Sequence, residues 1–225
     1  MELMLLDAKS TAVVADELRK TVLEKLSSYK KIGFATTIQF INQQNELIEF
    51  IKANNFETDL GMARRGSHGG QILGCSVMQY PNVDVILYTG SGLFHPIALA
   101  LQNEKPILLV NPEVNEVRFL DQKEIQKYKT ELIVKNSLLK NAGKIGIIAT
   151  TKYGQNRIND AIELKKKYES QGKKVYIIVY DTIDFKSLLN FPEVDLYINT
   201  ACPGIPFSDQ DAVNKPLIDI DEIKD

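Results

Sequence analysis

A pattern in the first half of the chain returns in the second. Ile32-Gly33-Phe34-Ala35-Thr36-Thr37 is matched by Ile145-Gly146-Ile147-Ile148-Ala149-Thr150-Thr151, with one insertion. Val83-Asp84 heads an apolar run ending in Thr89-Gly90, and Val194-Asp195 heads one that runs into Thr200-Ala201-Cys202. The two landmarks lie 51 residues apart in the first copy (Gly33 to Asp84) and 49 in the second (Gly146 to Asp195). Short, β-branched apolar runs alternating with helical patterns are the signature of buried parallel strands joined by helices. Two such copies predict an α/β chain of two similar small parallel-sheet domains with crossover helices.

The elements follow from periodicity. Residues 2–6 form a short apolar strand candidate, and 15–26 carry apolar residues at helical spacing. Residues 31–39 read as a strand and then a polar turn. Residues 45–54 read as an amphipathic helix with Leu47, Ile48 and Ile51 on one face. Residues 56–68, with Arg64 and Arg65, read as a mobile loop. A strand at 83–88, a short helix and a strand at 106–110 come next. The long charged stretch 121–142 places Ile125, Leu132 and Leu139 toward a core. In the second copy, strands are expected at 144–151, 174–180, 194–199 and 216–218. Helices are expected at 156–171, stopped by Gly172, and at 185–189.

Composition narrows the function classes. Hydrophobic residues at 44% and charged residues at 25% are ordinary globular values, and 225 residues suffice for one large core or two small ones. A formal charge of −2 argues against direct nucleic-acid binding, which needs a basic excess. No apolar run approaches the roughly 18 residues of a membrane span. The start, MELMLLDAKS, has an acidic second residue and no basic leader, so it does not read as a signal peptide. Two cysteines far apart are no secreted disulfide framework. The expected location is cytoplasmic.

The stretch 69–112 holds the densest chemistry. Gly90-Ser91-Gly92 follows a buried strand, and in an open α/β sheet ligands bind at the carboxyl ends of strands. It lacks the dinucleotide spacing G-x-G-x-x-G, since position 95 is His95, and no phosphate loop of the G-x-x-x-x-G-K type occurs. The turn therefore reads either as a ligand cradle or as a plain βα turn. His95, before Pro96, reads either as a ligand contact or as part of the helix start. Cys75 follows Gly74, and Cys202 is flanked by Pro203 and Gly204. Each is either a small buried hydrophobe or a thiolate exposed to a metal. Two thiolates cannot close a four-coordinate site, so a metal would need ligands from elsewhere. Arg64 and Arg65 read as solvated charges or an anion grip. With only two histidines, no convincing Ser/His/Asp triad can be assembled.

GGQILGC (69–75), VDVILYTGSGLFHPIALAL (83–101) and KPILLVNP (105–112) resemble the middle domain of the archaeal diphthamide synthase catalytic subunit, and IGFATTIQF (32–40) resembles the strand and turn that open it. ATTKYGQNR (149–157) and FPEVDLYINTACPGIPFSD (191–209) resemble its third domain. The resemblance implies a radical S-adenosylmethionine transferase with a [4Fe-4S] cluster. Such an enzyme moves a 3-amino-3-carboxypropyl group to a histidine of elongation factor 2, the first step of diphthamide formation. It further implies three cysteine ligands, one per domain, with Cys75 matching the middle-domain ligand and Cys202 the third-domain ligand. The turns carrying Thr37, Gln39, Gly90, Ser91, Gly92, His95, Thr151 and Gln155 then become the expected contacts of S-adenosylmethionine.

On this resemblance, residues 1–29 are the last strand and linking helix of a missing first domain, 30–125 a middle-type domain and 126–225 a third-type domain. The third cysteine would come from a separate N-terminal polypeptide or a homologous subunit, and a dimer is expected. Leu93 and Gly204 stand where the family pattern carries positive charge. That departure keeps two alternatives open: a non-catalytic partner subunit of the synthase, and a small-molecule-binding α/β protein with structural cysteines.

Overall fold

The computed structural model describes residues 6–64 and 66–224, so the expected strand at 2–6 lies outside the described residues apart from Leu6. The chain divides into two compact units, 1–125 and 126–225. In the first unit, α1 (Asp16–Leu26) precedes β1 (Lys31–Thr36), α2 (Ile41–Ala53), β2 (Glu57–Asp59), β3 (Val85–Thr89), α3 (Phe94–Gln102), β4 (Ile107–Asn111) and β5 (Glu116–Phe119). These strands form one sheet in the order β2-β1-β3-β4-β5. In the second unit, α4 (Gln122–Asn141, which starts just before the boundary) leads to β6 (Lys144–Thr150), α5 (Ile158–Ser170), β7 (Lys174–Tyr180), β8 (Leu196–Asn199), α6 (Ile205–Ser208) and β9 (Leu217–Asp219). Its sheet order is β7-β6-β8-β9, and every pairing is parallel. With β5 set aside, the two orders are the same.

Three expectations need correction. The first sheet is not purely parallel, because β5 pairs antiparallel with β4 from Leu108↔Phe119 to Asn111↔Glu116. The connection between them is a tight turn, with Asn115 at φ 51° and the Glu113 N–H donating to Asn111 Oδ1 at 3.0 Å. So short a link permits only an antiparallel neighbour. The expected loop at 56–68 contains the edge strand β2, parallel to β1. The second helix begins at Ile41 rather than 45, since Gln43 and Gln44 are buried and serve backbone carbonyls. Gln43 Nε2 donates to Ser10 O and Ala12 O, and Gln44 Nε2 donates to Gly69 O.

The repeated landmarks have repeated jobs. A Cβ on Gly33 would sit 2.8 Å from the Tyr80 ring, and one on Gly146 would sit 2.5 Å from the Tyr197 ring. Each glycine thus leaves room for a tyrosine ring against an interior strand of its sheet. Asp84 Oδ2 accepts the N–H groups of Lys30 and Lys31, each at 2.9 Å. Asp195 Oδ2 accepts those of Gly143 and Lys144 at 2.9 and 2.8 Å. The Val-Asp pair therefore pins the entry of β1 or β6 from the neighbouring strand.

Each unit has its own core. In the first, Ile32, Phe34, Val85, Leu87, Leu108 and Val110 pack against Leu18, Val22, Leu26, Leu47 and Ile51 of α1 and α2. In the second, Ile145, Ile147, Ala149, Leu196 and Ile198 meet Leu139, Ala161 and Tyr168 on one face. Ile148, Tyr197 and Leu217 meet Leu188 and Val213 on the other. Of the three α4 positions expected to face a core, Ile125 and Leu139 are buried and Leu132 is half-buried. In both sheets the chain reverses its direction of growth at the centre, between β1 and β3 and between β6 and β8. The carboxyl ends of those strands are where an α/β sheet opens a crevice.

Candidate functional site

At the first reversal, Thr36 and Thr89 end their strands side by side, and Thr36 Oγ1 donates to Thr89 O at 2.6 Å. The two turns that leave them are therefore neighbours. Thr37, half-buried, opens a short helical turn, and Gln39 beyond it is exposed, its carbonyl accepting the Ser10 N–H at 2.7 Å. Gly90 rests on a ring: a Cβ there would meet the Tyr88 hydroxyl at 2.7 Å. Ser91 and Gly92 are exposed, and Gly92 has φ 71°, a backbone state that glycine adopts without strain. His95, on the first turn of α3, stacks on Tyr88 with ring centroids 6.3 Å apart and an interplanar angle of 16°, while Phe94 meets it edge-on. Burial lowers the His95 pKa and so favours the uncharged ring.

Cys75 comes to the same edge by another route. Thr36 N–H donates to Gly70 O at 2.9 Å and Ile72 N–H to Thr36 O at 2.8 Å, so residues 70–72 run parallel to the end of β1. Gln71 Oε1 anchors the approach by accepting from Ser67 N, Ser67 Oγ and His68 N. Past the strand end, Leu73 and Ser76 exchange backbone hydrogen bonds at 3.1 and 2.9 Å, closing a four-residue turn. Cys75 sits at its tip, exposed. A packing role for Cys75 is thereby removed. Arg64 is exposed as well, and Arg65 lies outside the described residues.

In the second unit, Thr151 follows β6 and is exposed, its hydroxyl 3.3 Å from Asp181 Oδ1. Gln155 is exposed at the end of a turn containing Gly154 at φ 78°. Cys202, half-buried, lies in the turn after β8. Two residues that sequence reading passed over hold this turn. Asn199 Nδ2 donates to Cys202 O at 2.9 Å and to Asp219 Oδ2 at 2.6 Å, with Asn199 and Asp219 paired across β8 and β9. Burial pushes the Asp219 carboxyl up to about 6. The available signal was a lone polar residue ending each of two apolar strands. The structure thus brings Thr37, Gly90 and the Cys75 turn to one edge, and Thr151 and Cys202 each to a strand end of the other sheet.

Residues 8–224 match the family model described as "Putative diphthamide synthesis protein". The chain belongs to this family. Among its members, 2-(3-amino-3-carboxypropyl)histidine synthase of Pyrococcus horikoshii is 30% identical over 213 residues, covering 94% of this chain and 61% of the relative. The enzyme of the same name from Methanocaldococcus jannaschii is 29% identical, covering 94% and 56%. The crystal structure of Dph2 from Pyrococcus horikoshii with a 4Fe-4S cluster superposes with a TM-score of 0.81 at 28% identity, covering 95% of this chain and 62% of that one. This family member thus spans about three fifths of the length of the relatives it matches.

The cluster carried by that neighbour can be tested against the donors in this chain. Both cysteines are free thiols on turns beyond strand ends, which is the setting a cluster edge needs. No group of three or more His, Cys, Asp or Glu able to hold a metal occurs among the described residues. Each thiol is suited to give one ligand to such a cluster.

Proposed function

We propose that this chain carries the second and third parts of a 2-(3-amino-3-carboxypropyl)histidine synthase, with Cys75 and Cys202 each giving one thiolate to a [4Fe-4S] cluster. The observation that carries the reading is the placement of both cysteines on turns at strand ends, Cys75 exposed and Cys202 half-buried, when free cysteine ordinarily packs in cores. When bound, such a cluster would supply the electron for reductive cleavage of S-adenosylmethionine. In this reading residues 30–125 and 126–225 are two repeated domains, and 1–29 link them to a first domain. The third thiolate comes from outside this sequence, in the same polypeptide or another, and the assembled enzyme is a cytoplasmic dimer.

The remaining residues bind and orient. The Gly90 N–H is taken by Val110 O at 3.0 Å, so the exposed Ser91 and Gly92 are the residues of this turn that offer backbone N–H groups. His95, its uncharged form favoured by burial, presents a ring held by Tyr88 and Phe94 beside that turn. Thr37, Gln39, Thr151 and Gln155 provide polar contacts for the nucleoside and amino-acid ends of S-adenosylmethionine. The acceptor is a histidine imidazole carbon of elongation factor 2.

Anaerobic reconstitution tests the proposal. The chain, combined with the segment that supplies the third thiolate, should take up about four irons and give a reduced-cluster electron paramagnetic resonance signal. Cys75→Ala and Cys202→Ala should each abolish that signal and the mass increase on elongation factor 2. A chain that takes up no iron in any pairing overturns it.

A further inference from the structure

The turn after β8 is built differently from its counterpart after β3. Counted from Asp84 and Asp195, Asn199 stands where the first unit has Tyr88, Thr200 stands where it has Thr89, and Ala201-Cys202-Pro203 replaces the glycine turn at 90–92. Asn199 is fully buried, and its side chain closes the turn on both sides. Its Oδ1 accepts the Ala201 N–H at 3.2 Å, while its Nδ2 donates to Cys202 O at 2.9 Å. The same amide donates to Asp219 Oδ2 at 2.6 Å, and Asp219 Oδ1 accepts the Asp221 N–H at 3.0 Å. Cys202 O also accepts the Ile205 N–H at 3.0 Å, joining the turn to α6.

Asp219 is 2% exposed with no cation on it among the described residues, a costly place for a carboxyl. An apolar pair at these two strand ends would stabilise the sheet better. It could not hold the carbonyl of a residue in the turn. We propose that Asn199 and Asp219 are positioning residues that fix the backbone of Cys202 and so set the direction of its thiol. The inference rests on the reading of Cys202 as a cluster ligand. The role assigned to the pair is exerted through the turn alone.

Two variants separate positioning from plain stability. Asn199→Ala removes the grip on Cys202 altogether. The exchange Asn199→Asp with Asp219→Asn keeps a buried donor–acceptor pair between the strands but leaves Cys202 O without its side-chain donor. The readout is the alkylation rate of each thiol by iodoacetamide in the reduced, iron-free chain, followed by peptide mass spectrometry. Both variants should speed Cys202 by about fivefold or more, the factor carried by one ordinary hydrogen bond, with Cys75 unchanged as internal reference. After reconstitution the exchange variant should also give a shifted electron paramagnetic resonance spectrum.

An exchange variant whose Cys202 reacts like the wild type overturns the inference. Should neither variant fold, the wild type decides by hydrogen exchange. The Ala201 and Ile205 amides should be protected to the level of β8, and rapid exchange at both overturns the clamp. Absence of iron uptake would sink the cluster reading and leave the alkylation contrast standing. Normal loading with no contrast would sink the clamp alone.

Discussion

Asp84 and Asp195 each hold two peptide N–H groups at the entry of a central strand, and Gly33 and Gly146 each make room for a tyrosine ring. These roles set clear expectations. Gly146→Ala drives a methyl group to within 2.5 Å of the Tyr197 ring in a closed core, so it should cost about 1–3 kcal/mol of unfolding free energy. Gly143→Ala meets only Asp195 at 3.7 Å and should stay within about 0.5 kcal/mol, so equal losses in urea titration would contradict this account. The N–H groups of Lys31 and Lys30 hold the Asp84 carboxyl below the usual carboxylate range. Its folded pKa is depressed, so its contribution is present above pH about 3.9 and is lost as pH falls through the folded value. Asp84→Asn should flatten the acid limb of the stability profile, and an unchanged limb would show that the carboxylate carries none of it. The landmarks were legible because they recur at nearly constant spacing. The tyrosines that explain them were not, since Tyr80 precedes its sheet's second landmark and Tyr197 follows its own.

At the level of elements, apolar strands were easy to find and polar ones were missed. β2 is Glu-Thr-Asp and β5 is Glu-Val-Arg-Phe, both sheet edges where one side faces water and alternation replaces a solid apolar run. α2 begins early because two glutamines are buried to serve backbone carbonyls, and no periodicity rule treats glutamine as core. The same logic governs the last turn of the chain. Asn136 on α4 donates to Glu222 O at 3.1 Å and accepts the Lys224 N–H at 2.7 Å, while Tyr128 donates to the Glu222 carboxylate. Asn136→Ala should cost about 1–3 kcal/mol, since it removes two hydrogen bonds to the backbone of Glu222 and Lys224, each worth about 0.5–1.5 kcal/mol. It should also open residues 220–224 to carboxypeptidase, and unchanged resistance to digestion would refute that tie.

For the whole molecule, the repeat predicted two units, and the two hydrophobic cores are built from separate sets of residues. Which turn would expose its cysteine was not legible. Gly74-Cys75 and Ala201-Cys202-Pro203 are equally compatible with burial until the backbone bonds of residues 70–76 and the Asn199 side chain fix their turns. Separate cores have a measurable consequence. Leu87→Ala removes a fully buried side chain from the first core and Ile147→Ala one from the second, each worth about 2–5 kcal/mol. Hydrogen exchange should quicken in β1, β3 and β4 for the former and in β6, β7 and β8 for the latter, because each lost side chain belongs to the cluster of its own sheet. If the proposed cluster takes one thiolate from each unit, iron retention should fall in both variants. If Leu87→Ala quickened exchange equally in both sheets, the units would share one cooperative core. If only one variant lost iron, the cluster would depend on one cysteine rather than two.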